Sequence, residues 1–301
     1  MGTPTNVQRR RTHAESAREK AERARLARAA ARKRRRLLVV VGSSVGVLAV
    51  IGAIILAAAL RGPSSSTGAD GPQGDAPASL VSDVTSVPVS VTDAIGAGTS
   101  YTVWKKITDP PLGTDRPEVL YVGAEYCPFC AAERWAIVQA LSRFGEFRGL
   151  SMTTSAAEEI NPGTPSFTFH GATYTSDYLT FVGKEMYTNE KPVGSSLFER
   201  LDTLTAEEAS IWRSHTDAFP FTDINGAFAL SGASYDMKVL KGLTGVQIGR
   251  AMNDPQSPVA KAVIGAANVI TAAICSTTGD QPANVCTAPG VVAAAETLPS
   301  S

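Results

Sequence analysis

The stretch that decides the reading is residues 118–144. It runs from Val119-Leu120-Tyr121-Val122 through Gly123-Ala124-Glu125-Tyr126 to Cys127-Pro128-Phe129-Cys130, and then into a helical pattern. The first four residues are an uninterrupted apolar run of strand length, which predicts a buried strand. After the cysteine pair, Ala131, Trp135, Val138 and Ser142 fall along one side of a helix, and Ile137, Leu141 and Phe144 mark a neighbouring apolar stripe. Gly145 follows, where a helix stop is expected. Cys127 therefore sits where a strand hands over to a helix N-terminus.

That position carries chemistry. The free N–H groups of a first helical turn present partial positive charge, which stabilises a thiolate. The pKa of Cys127 is expected below that of an ordinary thiol, with the thiol exposed. Cys130 lies one turn further in, on the same side, and is expected to be sheltered. An exposed acidic thiol beside a sheltered one makes an attacking and resolving pair for thiol–disulfide exchange.

The segment from Gly123 to Cys130, with an aromatic residue directly before the first cysteine, resembles the active-site turn of the thioredoxin-like superfamily. The resemblance is carried by about 30 residues. It implies an α/β thioredoxin-like fold with Cys127 and Cys130 as catalytic residues. One departure stands out. Many thioredoxins carry a buried acid six residues before the first cysteine, and here that position is Tyr121. Proton transfer at Cys130 then needs another group or water.

Two plainer readings compete: an inert structural clip and a metal knuckle. Zinc needs four ligands, usually as two close pairs. The other two cysteines, Cys275 and Cys286, lie far along the chain with ten residues between them, so no metal and no cofactor is expected. Those two are instead expected to form a structural disulfide. Two free thiols or a second exchange pair are the alternatives.

The charge is divided. Over the whole chain 28 Lys and Arg balance 28 Asp and Glu, yet residues 1–36 hold 13 Lys or Arg against 3 acids. A basic tail of net +10 thus precedes a body of net −10, and no nucleic-acid partner is expected. Residues 37–60 contain no charged side chain. Twenty-four residues at about 1.5 Å each span about 36 Å, enough to cross a bilayer with some tilt. The run exceeds the usual length of a signal-peptide core, although Ala57, Ala58 and Ala59 keep cleavage open. The positive-inside rule places the tail in the cytoplasm and everything after Arg61 outside the membrane. Residues 61–90 are rich in Pro, Ser, Gly and Asp and read as a flexible tether.

The domain is then expected over residues 91–290. Residues 101–106 and 149–155 read as strands, the second forming a parallel pair with the 119–122 strand across the redox helix. Residues 195–214 read as a helical insertion, with Thr205 and Glu208 as a capping box. Asn225-Gly226 between two apolar runs signals a hairpin. Pro220 comes just before it. The resemblance is to the DsbA-like branch, in which a helical insertion separates the CxxC helix from a hairpin led by a cis-proline that faces the cysteines and receives the substrate chain. It implies that Phe219 and Pro220 bind substrate. Thr164-Pro165, closer to a plain thioredoxin spacing, is the rival for that role. Val259, Val263, Ala266, Ile270 and Ala273 share one stripe of a closing helix capped by Ser257-Pro258, and residues 291–301 read as a loose tail. His13, His170 and His215 are given no catalytic role.

The chain as a whole also resembles an uncharacterised family of membrane-anchored thioredoxin-like proteins, a domain of unknown function. The expectation is a single-pass extracytoplasmic oxidoreductase acting on protein thiols or disulfides of the envelope, with a membrane redox partner. The alternative is a non-enzymatic thioredoxin-like scaffold or binding module.

Overall fold

The computed structural model describes residues 74–101 and 103–299. The expected basic tail, the apolar run at 37–60 and the first part of the tether lie outside the described residues. The chain begins with strand β1 (Gly74–Asp75), helices α1 (Ala78–Thr85) and α2 (Val89–Ile95), and strand β2 (Lys105–Lys106). Then come β3 (Glu118–Gly123), helix α3 (Pro128–Leu141) and five strands: β4 (Gly145–Arg148), β5 (Ser151–Thr154), β6 (Pro165–Thr168), β7 (Thr173–Ser176) and β8 (Thr180–Glu185). Helix α4 (Ala206–His215) leads to the hairpin β9 (Phe221–Ile224) and β10 (Phe228–Ser231). A short 3-10 turn, Met237–Leu240, precedes α5 (Gly245–Ala251), α6 (Pro258–Thr277), α7 (Ala283–Cys286) and α8 (Pro289–Ala295).

The architecture is mixed α/β. The main sheet has the order β2-β10-β9-β3-β8, with β3 parallel to β8 and antiparallel to β9. A three-stranded sheet β1-β5-β6 and the pair β4-β7 flank it. Residues 151–154 thus do not pair with β3 as expected; they pair antiparallel with β6, and the parallel partner of β3 is β8. The alternation in β5 fits either neighbour, and only the long crossover selects β8.

Helix α3 packs against α6, and every residue of α3 except Phe129 is buried. Helix α6 is also apolar all round; it is long and apolar enough to cross a membrane, yet 89% of its apolar window is buried inside the protein, which makes it the core helix of the domain. Asn225 and Gly226 both take positive φ at the hairpin turn, the conformation for which Asn-Gly is suited.

Four boundaries differ from the sequence reading. The tether expected over 61–90 ends early, because β1 and α1 already belong to the fold: Leu80 and Val84, one helical turn apart, are buried to 2% and 0% exposure. The strand expected over 101–106 is reduced to Lys105 and Lys106. The insertion is helical only over Ala206–His215, where the Thr205–Glu208 capping box forms; residues before it run irregularly. The tail is not loose up to its end, since α8 buries Val291 and Ala294. In each case burial of a few apolar side chains, or its lack, outweighs local composition.

Candidate functional site

Strand β3 ends at Gly123, and four residues later Cys127 is the N-cap of α3, with Pro128 at the first helical position. Pro128 has no N–H to leave unpaired there. The Sγ of Cys127 takes the part that a serine or threonine oxygen plays at other helix starts, and accepts from the backbone N–H of Cys130 at 3.3 Å. On its other side the thiol donates toward the carbonyl oxygen of Phe219, at 3.9 Å. Both thiols are free.

The expected contrast in exposure is only partly present. Cys130 is fully buried, but Cys127 is also largely covered, at 6% exposure, where an exposed thiol was expected. The cause is a collar of rings. Tyr126, Tyr187 and Phe219 pack around the pair. Phe198 stacks on Tyr126 with centroids 4.2 Å apart, and Trp212 stacks on Phe219 at 5.3 Å. The insertion between β8 and β9 supplies most of this collar.

Electrostatics separate the two sulfurs. The hydrogen bond with the Cys130 side chain lowers the pKa of Cys127 most, aided by the N–H groups of Cys130 and Phe129 and the charge of Arg134, against the effect of burial. Burial pushes the Cys130 thiol well up, and the neighbouring Cys127 adds to it. A low-pKa sulfur therefore sits beside a high-pKa one.

Phe219-Pro220 is a cis peptide, and Thr164-Pro165 is not among the cis bonds of the described residues. Pro220 follows the residue whose carbonyl meets Cys127 Sγ, while Pro165 opens β6, its carbonyl accepting from Trp135 Nε1 at 3.0 Å. The cis bond at Gln281-Pro282 was not anticipated. A groove of about 580 Å³ runs beside the pair, lined by Phe129, Ile160, Tyr101, Phe219 and Met237 among others. Phe129 and Ile160 are exposed at 40% and 58%, so an apolar surface borders the cysteine pair.

Beneath the turn lies a feature the sequence reading missed. Arg134 and Glu185 form a fully buried two-point ion pair, Nε to Oε1 at 2.8 Å and Nη2 to Oε2 at 3.1 Å. Arg134 Nη2 also donates to the carbonyl of Ala124, at 2.7 Å, inside the turn that joins β3 to α3. The signal was a Glu133-Arg134 charged pair inside an otherwise apolar helix.

Cys275 and Cys286 form a disulfide that ties α6 to α7. Among the described residues no group of three or more His, Cys, Asp or Glu is arranged to hold a metal ion. His170 pairs with Asp202, and His215 pairs with Asp109 and stacks on Phe221; neither is placed at the cysteines.

The chain matches no curated protein and no solved structure. A family model does match it, that of a domain of unknown function (DUF929), over residues 111–276. The matched segment includes Cys127, Cys130, Arg134, Glu185 and the Phe219-Pro220 turn, and stops just past Cys275. Because it covers more than half of the 301 residues, the chain belongs to the DUF929 family.

Proposed function

We propose that this protein is a thiol–disulfide oxidoreductase with a thioredoxin-like domain, anchored by residues 37–60 and facing the outside of the membrane, where it acts on envelope or secreted proteins. The observation that carries the reading is the setting of Cys127: a sulfur at a helix N-cap, accepting an N–H bond from Cys130 at 3.3 Å, with a second thiol one turn away. A structural clip has no use for a low-pKa sulfur beside a high-pKa one.

The chemistry follows from this pair. As thiolate, Cys127 attacks a substrate disulfide and one substrate sulfur leaves as thiolate. The mixed disulfide is then resolved when the Cys130 sulfur attacks Cys127 Sγ and releases the second substrate sulfur. In the opposite direction, a Cys127–Cys130 disulfide is attacked by a substrate thiolate, and a substrate disulfide is the product. The open apolar groove at Phe129, Ile160 and Phe219 suits an extended protein chain rather than a small thiol. The order β3, α3, helical insertion, β9–β10 hairpin, closing helix α6 supports the thioredoxin-like reading.

The test is insulin disulfide reduction by the full chain purified in detergent. Cys127→Ser is expected to abolish turnover, and Cys130→Ser to accumulate a mixed disulfide. Undiminished turnover in Cys127→Ser removes the reading and leaves the protein as a scaffold.

A further inference from the structure

Cys127 has to meet a second sulfur, yet only 6% of it is exposed. Exchange depends on access to the sulfur as well as on its ionisation. Something over Cys127 must therefore move. Tyr126, Tyr187 and Phe219 are the rings packed on the cysteine cluster. Phe219 is the stiffer cover. It stands two residues before β9, and Trp212, stacked on it, is itself tied by Nε1 to the Ala218 carbonyl at 3.1 Å. Tyr187 belongs instead to a narrow flap.

Residues 186–201 leave the end of β8 and fold back on themselves. The Leu201 N–H donates to the Met186 carbonyl at 3.1 Å, the Thr188 N–H to Glu199 at 2.9 Å and the Glu199 N–H to Glu190 at 3.0 Å. The base of the flap is pinned by backbone: the Met186 N–H donates to the Gly123 carbonyl at 2.8 Å, and the Glu125 N–H to the Tyr187 carbonyl at 2.9 Å. Further out, side chains hold it. Asn189 Nδ2 donates to the Thr154 carbonyl at 2.9 Å. Phe198 stacks on Tyr126, the residue directly before Cys127, with centroids 4.2 Å apart. Lys191 Nζ lies 4.5 Å from the Phe198 centroid and pairs with Glu158. A ring stack, a cation on a ring and a partly exposed ion pair are each weak contacts, so the flap is closed by a small margin. Its tip carries two bare aliphatic side chains: Val193 is fully exposed and Leu197 is 74% exposed.

We propose that residues 186–201 form a gate over Cys127, latched by Lys191 and Phe198 on Tyr126, which a protein chain seated in the groove opens and a small thiol or small disulfide does not. The inference rests on the oxidoreductase reading and sets its specificity. Opening breaks the Phe198–Tyr126 stack and lifts Tyr187 from the cysteine cluster, while the Phe219 side of the collar stays in place.

The groove and the latch share one turn. Ile160 lines the groove, and Glu158, two residues before it, holds the outer end of Lys191. A chain bound against Ile160 therefore touches the segment that keeps the flap shut. It also gains apolar contacts at Phe129 and Ile160, which offset the lost stack. A small disulfide brings no such contacts and meets Cys127 only in the fraction of molecules already open. Selection is then by contact area, with the correct substrate supplying the free energy of the conformational change.

The experiment uses the full chain in detergent, as wild type, Phe198→Ala and Lys191→Met, with urea midpoints to confirm folding. The lysine variant alters only a partly exposed side chain and serves if Phe198→Ala unfolds. Two quantities are read: the alkylation rate of Cys127 by iodoacetamide at its high-pH plateau, where ionisation no longer matters, and kcat/KM for insulin against 2-hydroxyethyl disulfide. Phe198→Ala is expected to raise the plateau rate and kcat/KM for the small disulfide by about 2- to 10-fold, the size of one lost ring stack. Insulin turnover changes little, so selectivity for the protein falls; Lys191→Met shifts both in the same direction. An unchanged plateau rate in a folded Phe198→Ala overturns the gate, as does a gain confined to lower pH, which would make Phe198 a tuner of the sulfur. Equal gains for both disulfides overturn the selectivity. If wild type reduces neither disulfide, the oxidoreductase reading fails and takes the selectivity with it; the alkylation arm needs no turnover and still decides whether the flap covers Cys127.

Discussion

The Sγ of Cys127 lies 3.9 Å from the carbonyl oxygen of Phe219, a residue 92 positions later in the chain. The sheet makes this meeting possible. β9 runs antiparallel to β3, so the turn that enters β9 comes back to the end of β3 from which α3 starts. The ring of Phe219 packs in the same cluster as Cys127 and Cys130.

Phe219→Ala keeps the backbone carbonyl but removes that ring and its stack on Trp212. Aromatic contacts of this kind contribute about 0.5–1.5 kcal/mol beyond their area. The expected result is a KM for a protein substrate raised by about 2- to 10-fold, with the Cys127 pKa little changed. Steady-state kinetics with reduced or oxidised insulin, alongside an alkylation pH profile, separate the two. A shifted pKa with unchanged KM would instead assign the ring to tuning the sulfur.

Gly265 sits in the middle of α6, where alanine is normally the better helix former by about 1 kcal/mol. Here a β-carbon would approach the Ala97 carbonyl oxygen to 2.4 Å and the α-carbon of Gly98 to 3.0 Å. The neighbours are backbone atoms and cannot swing aside. The clash outweighs the propensity, and Gly265→Ala is expected to destabilise by about 1–3 kcal/mol in urea unfolding. A gain in stability would mean that the Ala97–Gly98 turn and α6 pack less closely than described.

The Cys275–Cys286 disulfide closes a short loop at the end of α6. In the chain-entropy model a loop of about 12 residues is worth about 2.5–3 kcal/mol. Replacing both cysteines by serine is expected to lower stability by up to that amount and to leave exchange activity unchanged. Loss of exchange in a folded double variant would mark this pair as a second redox centre.

Glu133 is fully buried, and its carboxylate accepts from the Ser234 backbone N–H and hydroxyl. Burial raises its pKa to about 7, which those hydrogen bonds only partly oppose. The folded state thus keeps a proton that the unfolded chain releases near pH 4.3. Its contribution to stability is whole below about pH 4 and is lost as the pH rises to about 7, with a limiting slope of about 1.4 kcal/mol per pH unit. Urea midpoints at pH 5, 6 and 7 should fall in wild type, and Glu133→Gln should flatten that trend. A trend that Glu133→Gln leaves untouched would assign the proton to another group.

The core of this site was readable because its signals are local. A strand, a short turn and Cys127-Pro128 at a helix start follow from apolar runs and capping rules, and Asn225-Gly226 marks its hairpin. The α6 stripe was legible for the same reason. What the sequence concealed depends on contacts distant along the chain. Leu80 and Val84 sit in a segment whose composition reads as a tether, and only their packing makes α1 a core element. The partner of β3 is chosen by a crossover of nearly 60 residues, which no short window can register. Arg134 and Glu185 are 51 residues apart, and nothing local names Glu185 as the partner until the fold buries them together.

The measurement that tests the central claim most directly is the ionisation of Cys127, followed by its alkylation rate against pH in the full-length Cys130→Ser variant and in wild type. The account predicts a wild-type pKa below the ordinary thiol value of about 8.5, rising when the hydrogen bond from the Cys130 side chain is altered. A Cys127 that titrates at or above 8.5 in the folded wild-type protein contradicts it.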